Sequence, residues 1–175
     1  AAHVENSDTS GLYSSRFSWK NPTLRPMQEV VVNAARSMNG GGMMCIEAPM
    51  GQGKTEAGLI AAEILAQETG RSGLAFAAPT QATSNALFDR VKAWAQGSAG
   101  GPKPHTMFLG HAKSQQQDSF RYLQRADIFD SEVEVEGKQS IRPNASIARH
   151  SWMGGRKRGI LSTFVVCTID QILMM

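Results

Sequence analysis

The stretch that most constrains this chain is Glu47-Ala48-Pro49-Met50-Gly51-Gln52-Gly53-Lys54-Thr55-Glu56, which follows the apolar run Met43-Met44-Cys45-Ile46 and opens into a helical pattern. A strand, a glycine-rich turn and Lys-Thr at a helix start is the layout that cradles a nucleotide's phosphates. Gly51 and Gly53 carry no Cβ, so backbone amides there can approach phosphate oxygens and converge on them. In this reading Lys54 brings a fixed positive charge to the β- and γ-phosphates, and the Thr55 hydroxyl ligates magnesium. The general form G-x-x-x-x-G-K-[ST] has glycine where this chain has Ala48. A tight turn before a solvated lysine is the plainer alternative, and the flanking strand and helix weigh against it.

The rest of the composition allows such a domain without naming it. A length of 175 residues suits one domain with a buried core. Apolar residues at 41% and charged residues at 19% are those of a globular chain. The net charge of +3 permits a polyanionic partner without demanding one. Cys45 and Cys167 both lie in apolar runs, and two cysteines make no disulfide framework, so reduced, buried thiols in a cytoplasmic protein are expected. No apolar run reaches the length of a membrane span, and the first residues have neither the basic nor the apolar region of a signal peptide.

In chain order, residues 1–20 are polar and serine-rich, and they read as a poorly ordered lead-in or linker. Tyr13, Phe17 and Trp19 within it are expected to pack on the domain if they pack at all. A domain is expected over residues 21–175. Pro26 suits the first position of a helix carrying Met27, Val30, Val31, Ala34, Ala35 and Met38 on one face. That helix stops at Asn39-Gly40-Gly41-Gly42. Gln28, in its first turn, has a carboxamide able to offer a donor and an acceptor to an adenine edge, but by itself it reads as a surface glutamine.

Residues 43–47 read as a first strand, 54–67 as a helix closed by Gly70, and 73–78 as a second buried strand. The loop Pro79-Thr80-Gln81-Ala82-Thr83 leads into a helix with Leu87, Val91 and Trp94 on one face. The order β-α-β-α predicts an α/β fold, a mostly parallel sheet with helices on both faces. Ligands of such sheets bind beyond the carboxyl ends of the strands, where the 79–83 loop lies. Its hydroxyls suit either a second ligand or a helix cap. Residues 106–109 and 164–167 read as further strands, 118–125 as a possible helix, and 132–136 as an edge strand or solvated loop. His111 has no neighbours at metal-ligand spacing. Arg156-Lys157-Arg158 forms a basic patch between glycines, suited to phosphate contact or simply to solvent.

Four segments share one known order: Leu24-Arg25-Pro26-Met27-Gln28, the phosphate loop, Ala78-Pro79-Thr80-Gln81-Ala82-Thr83, and the block ending Thr168-Ile169-Asp170-Gln171. Over residues 20–175 the chain resembles the first RecA-like domain of a superfamily-two helicase. More narrowly, it resembles the helicase part of the CRISPR-associated helicase–nuclease of type I systems. The resemblance implies that Gln28 contacts adenine. It implies that Gly51, Gly53, Lys54 and Thr55 hold ATP and magnesium, with Pro49, Met50, Gln52 and Glu56 completing the nucleotide loop. It implies that Pro79, Thr80, Gln81 and Thr168 line a track for single-stranded DNA. It also accounts for Ala48, since these helicases accept alanine there. Cys167 departs from the family's usual glycine, and a side chain at that point would narrow the backbone's approach to DNA.

The resemblance further implies partners: a CRISPR guide-RNA surveillance complex, a second RecA-like domain with an arginine finger, and a metal-dependent HD nuclease normally found before Leu24. Neither of the last two is recognisable in these 175 residues, and the Asp-Glu-x-His box that positions the attacking water is expected beyond Met175. The chain is therefore expected to be a fragment of an ATP-dependent DNA helicase that alone binds ATP weakly at best and does not hydrolyse it. Another superfamily-two DNA or RNA helicase, a stand-alone nucleotide-binding module and a small-molecule kinase are the alternatives. The kinase leaves the Pro79 and Thr168 segments unexplained.

Overall fold

A computed structural model describes residues 9–17, 19, 23–98, 105–111, 147–148 and 156–174. The chain divides into two units, Ala1–Ser72 and Gly73–Met175.

The first unit is helical: α1 (Thr9–Phe17), α2 (Pro26–Ser37) and α3 (Lys54–Glu68). Pro26 opens α2, where its fixed φ and missing N–H cost nothing. The three helices share one core of Leu12, Tyr13, Val31, Val32, Ala35, Ala57, Ile60, Ala61 and Ile64. Burying a side chain such as Ile60 stabilises the fold by roughly 1.5–3 kcal/mol.

Two expectations need correction in this unit. The start of the chain is not a poorly ordered lead-in throughout, because Thr9–Phe17 forms α1. Its Leu12 and Tyr13 are buried in the helical core, and Arg16 forms a bidentate pair with Glu63 of α3. Tyr13, Phe17 and Trp19 do pack together, with ring centroids 5.3–5.9 Å apart.

The second correction concerns residues 43–47, which form no strand. A strand exists only through a ladder of backbone hydrogen bonds to a neighbour. Here Met44 and Ile46 instead pack against the helical core, while Met43, Cys45 and Glu47 are exposed, so of the two thiols expected to be buried only that of Cys167 is. The apolar run serves helix packing rather than a sheet.

The second unit holds the sheet. Its elements are β1 (Leu74–Ala78), α4 (Gln81–Ser98), β2 (His105–Gly110), β3 (Ile147–Ala148), α5 (Arg156–Gly159), β4 (Phe164–Thr168) and α6 (Ile169–Leu173). The four strands run in the order β1-β4-β2-β3, every pair parallel. β4 lies in the interior and is buried at all five positions, as a strand covered on both faces must be.

The register shows what covers each face. Phe164 pairs with Met107 and Leu74, Val166 with Leu109 and Phe76, so these side chains share one face. Trp94 of α4 meets Phe164 edge-on at 5.6 Å, which puts α4 on that face. Phe108 and Val165 point to the other face, where Gly159 of α5 lies so close that a Cβ there would come within 2.4 Å of the Phe108 ring. Helices thus cover both faces, as an α/β fold requires. The segments 118–125 and 132–136 lie outside the described residues. Among the described residues no helix is long and apolar enough to cross a membrane.

Candidate nucleotide and nucleic-acid sites

The nucleotide loop lies wholly in the first unit. Gly51 and Gly53 both adopt positive φ, +74° and +78°, a conformation open to glycine at little cost. Gly53 is the N-cap residue of α3, and its carbonyl accepts the Ala57 N–H at 3.0 Å. The first amides of the 15-residue α3, from Lys54 on, therefore stand at the loop with the positive end of the helix dipole. Lys54 curls back over the loop: its Nζ donates to the carbonyl of Ala48 and, at 3.0 Å, to that of Pro49. Met50 and Gly51 are exposed at the tip, Gln52 and Thr55 half-buried behind it.

Gln28 is not the surface glutamine that its residue type suggests, for it is only 3% exposed. Its Oε1 accepts the Arg25 N–H at 3.1 Å, half of a capping box for α2. Its Nε2 is turned to the loop, 2.5 Å from where a Cβ on Gly53 would stand, and Glu56 Oε2 is 3.6 Å from that same point. The glycine therefore leaves room for the carboxamide. Glu56 is almost fully buried, and beneath it lies the Tyr13 hydroxyl, buried without a hydrogen-bond partner. Burial, and then the Glu56 carboxylate, hold the Tyr13 phenol well above its ordinary value of 10.0. The sequence offers Tyr13 only as one of three aromatics expected to pack on the domain, and no period in that serine-rich stretch places its hydroxyl near Glu56.

The second unit carries the other predicted residues at the carboxyl edge of its sheet. Ala78, which ends β1, is paired with Thr168, which ends β4. Pro79, Thr80, Gln81 and Thr83 are exposed there. Thr80 caps α4: its Oγ1 accepts the Thr83 N–H at 3.2 Å and lies 2.8 Å from Thr83 Oγ1, while its carbonyl takes both the N–H and the hydroxyl of Ser84. Thr168 is the N-cap residue of α6 and is buried to 7% exposure. Cys167 is fully buried and pairs with Gly110, so close that a Cβ on Gly110 would lie 3.0 Å from its own. Its side chain fills the space left by a glycine on the neighbouring strand, away from the exposed edge.

A family model for DEAD/DEAH box helicases matches residues 25–133, which takes in the nucleotide loop and the cap of α4. The chain belongs to the DEAD/DEAH box helicase family. Within this helicase family the chain is 36% identical over 168 residues to the CRISPR-associated nuclease/helicase Cas3 of Streptococcus thermophilus, covering 95% of this chain and 17% of that protein. It is 35% identical over 133 residues to the endonuclease/helicase Cas3 of Thermus thermophilus, covering 75% and 14%. Solved structures of T. fusca Cas3 with ADP and with ATP superpose with TM-scores of 0.63 and 0.62, at 26% and 28% identity, each over 93% of this chain and 16% of that one. The chain thus spans about a sixth of the length of these relatives, and its fold is an α/β RecA-like one. ATP is the nucleotide this family implies.

Proposed function

We propose that this chain is the ATP-binding portion of a DNA helicase that unwinds target DNA for degradation in type I CRISPR interference. The observation that carries the reading is the loop itself: two glycines at positive φ, an ammonium held over the loop by two of its carbonyls, and a buried carboxamide seated against Gly53. A phosphate chain offers Lys54 a better partner than neutral carbonyls, because an anionic oxygen adds direct charge–charge attraction to the ammonium's hydrogen bond.

In this reading Gly51, Gly53, Lys54 and Thr55 hold the triphosphate, with Pro49, Met50, Gln52 and Glu56 shaping the loop. Gln28 keeps its amide group and one carbonyl lone pair for the adenine edge. The Thr55 hydroxyl holds magnesium, which, when bound, neutralises charge on the β- and γ-phosphates. Pro79, Thr80, Gln81 and Thr168 form the single-stranded DNA edge, where the exposed start of the 18-residue α4 presents a positive dipole end to phosphates. The relatives named above are nuclease–helicases. The partners proposed from them are a guide-RNA surveillance complex, an HD nuclease domain and a second RecA-like domain.

The test is strand separation by the complete gene product on matched DNA and RNA duplexes. ATP-dependent unwinding of DNA that is lost in Lys54→Ala is the expected result, and equal or better unwinding of RNA would overturn the substrate assignment. The 175-residue chain contains no Asp-Glu-x-His sequence to position an attacking water, so by itself it is expected to bind ATP without turnover. DNA-stimulated ATPase in that chain, abolished by Lys54→Ala, would refute this.

A further inference from the structure

His111 follows directly on β2, and it is 4% exposed. Leu109 and Met107 face α4, so by strand alternation the position of His111 faces α4 as well. Gly110 pairs with Cys167, which sets His111 abreast of Thr168 on the neighbouring strand. The ring Nε2 lies 2.7 Å from Asn85 Oδ1. An amide oxygen can only accept, so the ring donates Nε2–H. Asn85 sits in the opening turns of α4, one residue beyond Ser84, whose N–H and hydroxyl both bond the carbonyl of Thr80. Two part-buried hydrogen bonds, joined by the covalent step from Asn85 to Ser84, therefore connect the end of β2 through the first turns of α4 to the exposed Thr80–Thr83 cap.

We propose that His111 and Asn85 act together as positioning residues, clamping the start of α4 to the sheet so that Thr80, Gln81 and Thr83 are held in the geometry that grips single-stranded nucleic acid. The proposal rests on the reading of this edge as the DNA track. Neither residue touches the strand, because both act from beneath it. The cap alone fixes only the local turn, whereas the Nε2–Oδ1 bond fixes that turn against the end of β2. A phosphate contact needs its donors placed to within a fraction of an ångström, and a helix start free to rock against the sheet loses that registration.

The test measures binding of a fluorescent oligo(dT) to the 175-residue chain, with ATP affinity measured beside it. Gln places an amide nitrogen near the position of the imidazole Nε2, whereas Asn is too short to reach Asn85. His111→Gln is expected to bind oligo(dT) as the wild type does, and His111→Asn about tenfold more weakly. Asn85→Leu is expected to match the weaker variant, and the double variant His111→Asn/Asn85→Leu to be no worse than either single one. ATP affinity should stay unchanged in all of them. A merely structural role predicts no rescue by Gln, and that result overturns the proposal. So does oligo(dT) binding by His111→Asn within twofold of wild type. A wild-type chain that fails to bind oligo(dT) at all overturns the reading of the edge, and the clamp with it.

Discussion

Gly53 is the residue at which two constraints meet. Its φ of +78° disfavours any side chain, and the space its Cβ would fill is occupied by Gln28 Nε2 at 2.5 Å. Gly53→Ala is therefore expected to cost about 1–3 kcal/mol of stability and to remove ATP binding, since it displaces the carboxamide as well as the loop. Denaturant titration together with nucleotide binding checks both effects. Tyr13 makes the opposite case. Its hydroxyl is buried, has no hydrogen-bond partner and lies beside the Glu56 carboxylate. Tyr13→Phe removes an unsatisfied polar group while keeping the ring, so stability should hold or rise by about 1 kcal/mol. A loss of that size in urea unfolding would mean that the hydroxyl is bonded after all.

His111 gives a pH dependence with a definite sign. Burial lowers its proton affinity below the ordinary value of 6.5, so as pH falls the unfolded ring takes a proton before the folded one does. Its contribution to stability is complete above about pH 6.5 and is lost as pH falls toward the folded-state value. Unfolding midpoints of the wild type should therefore drop more steeply than those of His111→Gln between about pH 7 and pH 5. Parallel curves for the two proteins would contradict this.

Among the elements, α1 matters most to the first unit, because Leu12 and Tyr13 enter its core and Arg16 holds Glu63 of α3 through Nε and Nη2 at 2.7–3.0 Å. Both side chains of that pair are only 10% exposed, so losing one partner strands the other. Arg16→Ala should cost about 3 kcal/mol, read as a shift in thermal or urea midpoint. A change within error would show that α1 is not anchored by this pair. This element was hard to read in the sequence for a physical reason. Nine residues that include three serines and a glycine carry a weak helical signal, and the contact that fixes them lies 47 residues away. By contrast α2, α3 and α4 were legible, since Pro26, Gly53-Lys54 and Thr80 mark their starts and long apolar periods follow. Residues 43–47 misled because a buried strand and an extended segment packed on helices call for the same apolar composition. Only the hydrogen-bond ladder separates the two, and a ladder is a property of the neighbours.

At the scale of the whole molecule, the nucleotide loop belongs to the unit Ala1–Ser72 and the nucleic-acid edge to the unit Gly73–Met175. The sequence named the residue types of both sites, because phosphate-binding glycines and a helix-capping threonine act through local backbone geometry. It offered Tyr13 only as one of three aromatics expected to pack, and it noted His111 only to set a metal site aside. Both act through burial and long-range packing, which no local pattern records. The nucleotide loop carries the proposed function. The most direct measurement is an equilibrium titration of ATP and of GTP into the 175-residue chain, beside Lys54→Ala and Gln28→Ala. The wild type is expected to prefer ATP, Lys54→Ala to weaken both nucleotides about ten- to a hundredfold, and Gln28→Ala to lose the preference. Equal affinity of the wild type for ATP and GTP, or ATP binding by Lys54→Ala as tight as by the wild type, would contradict the proposed function.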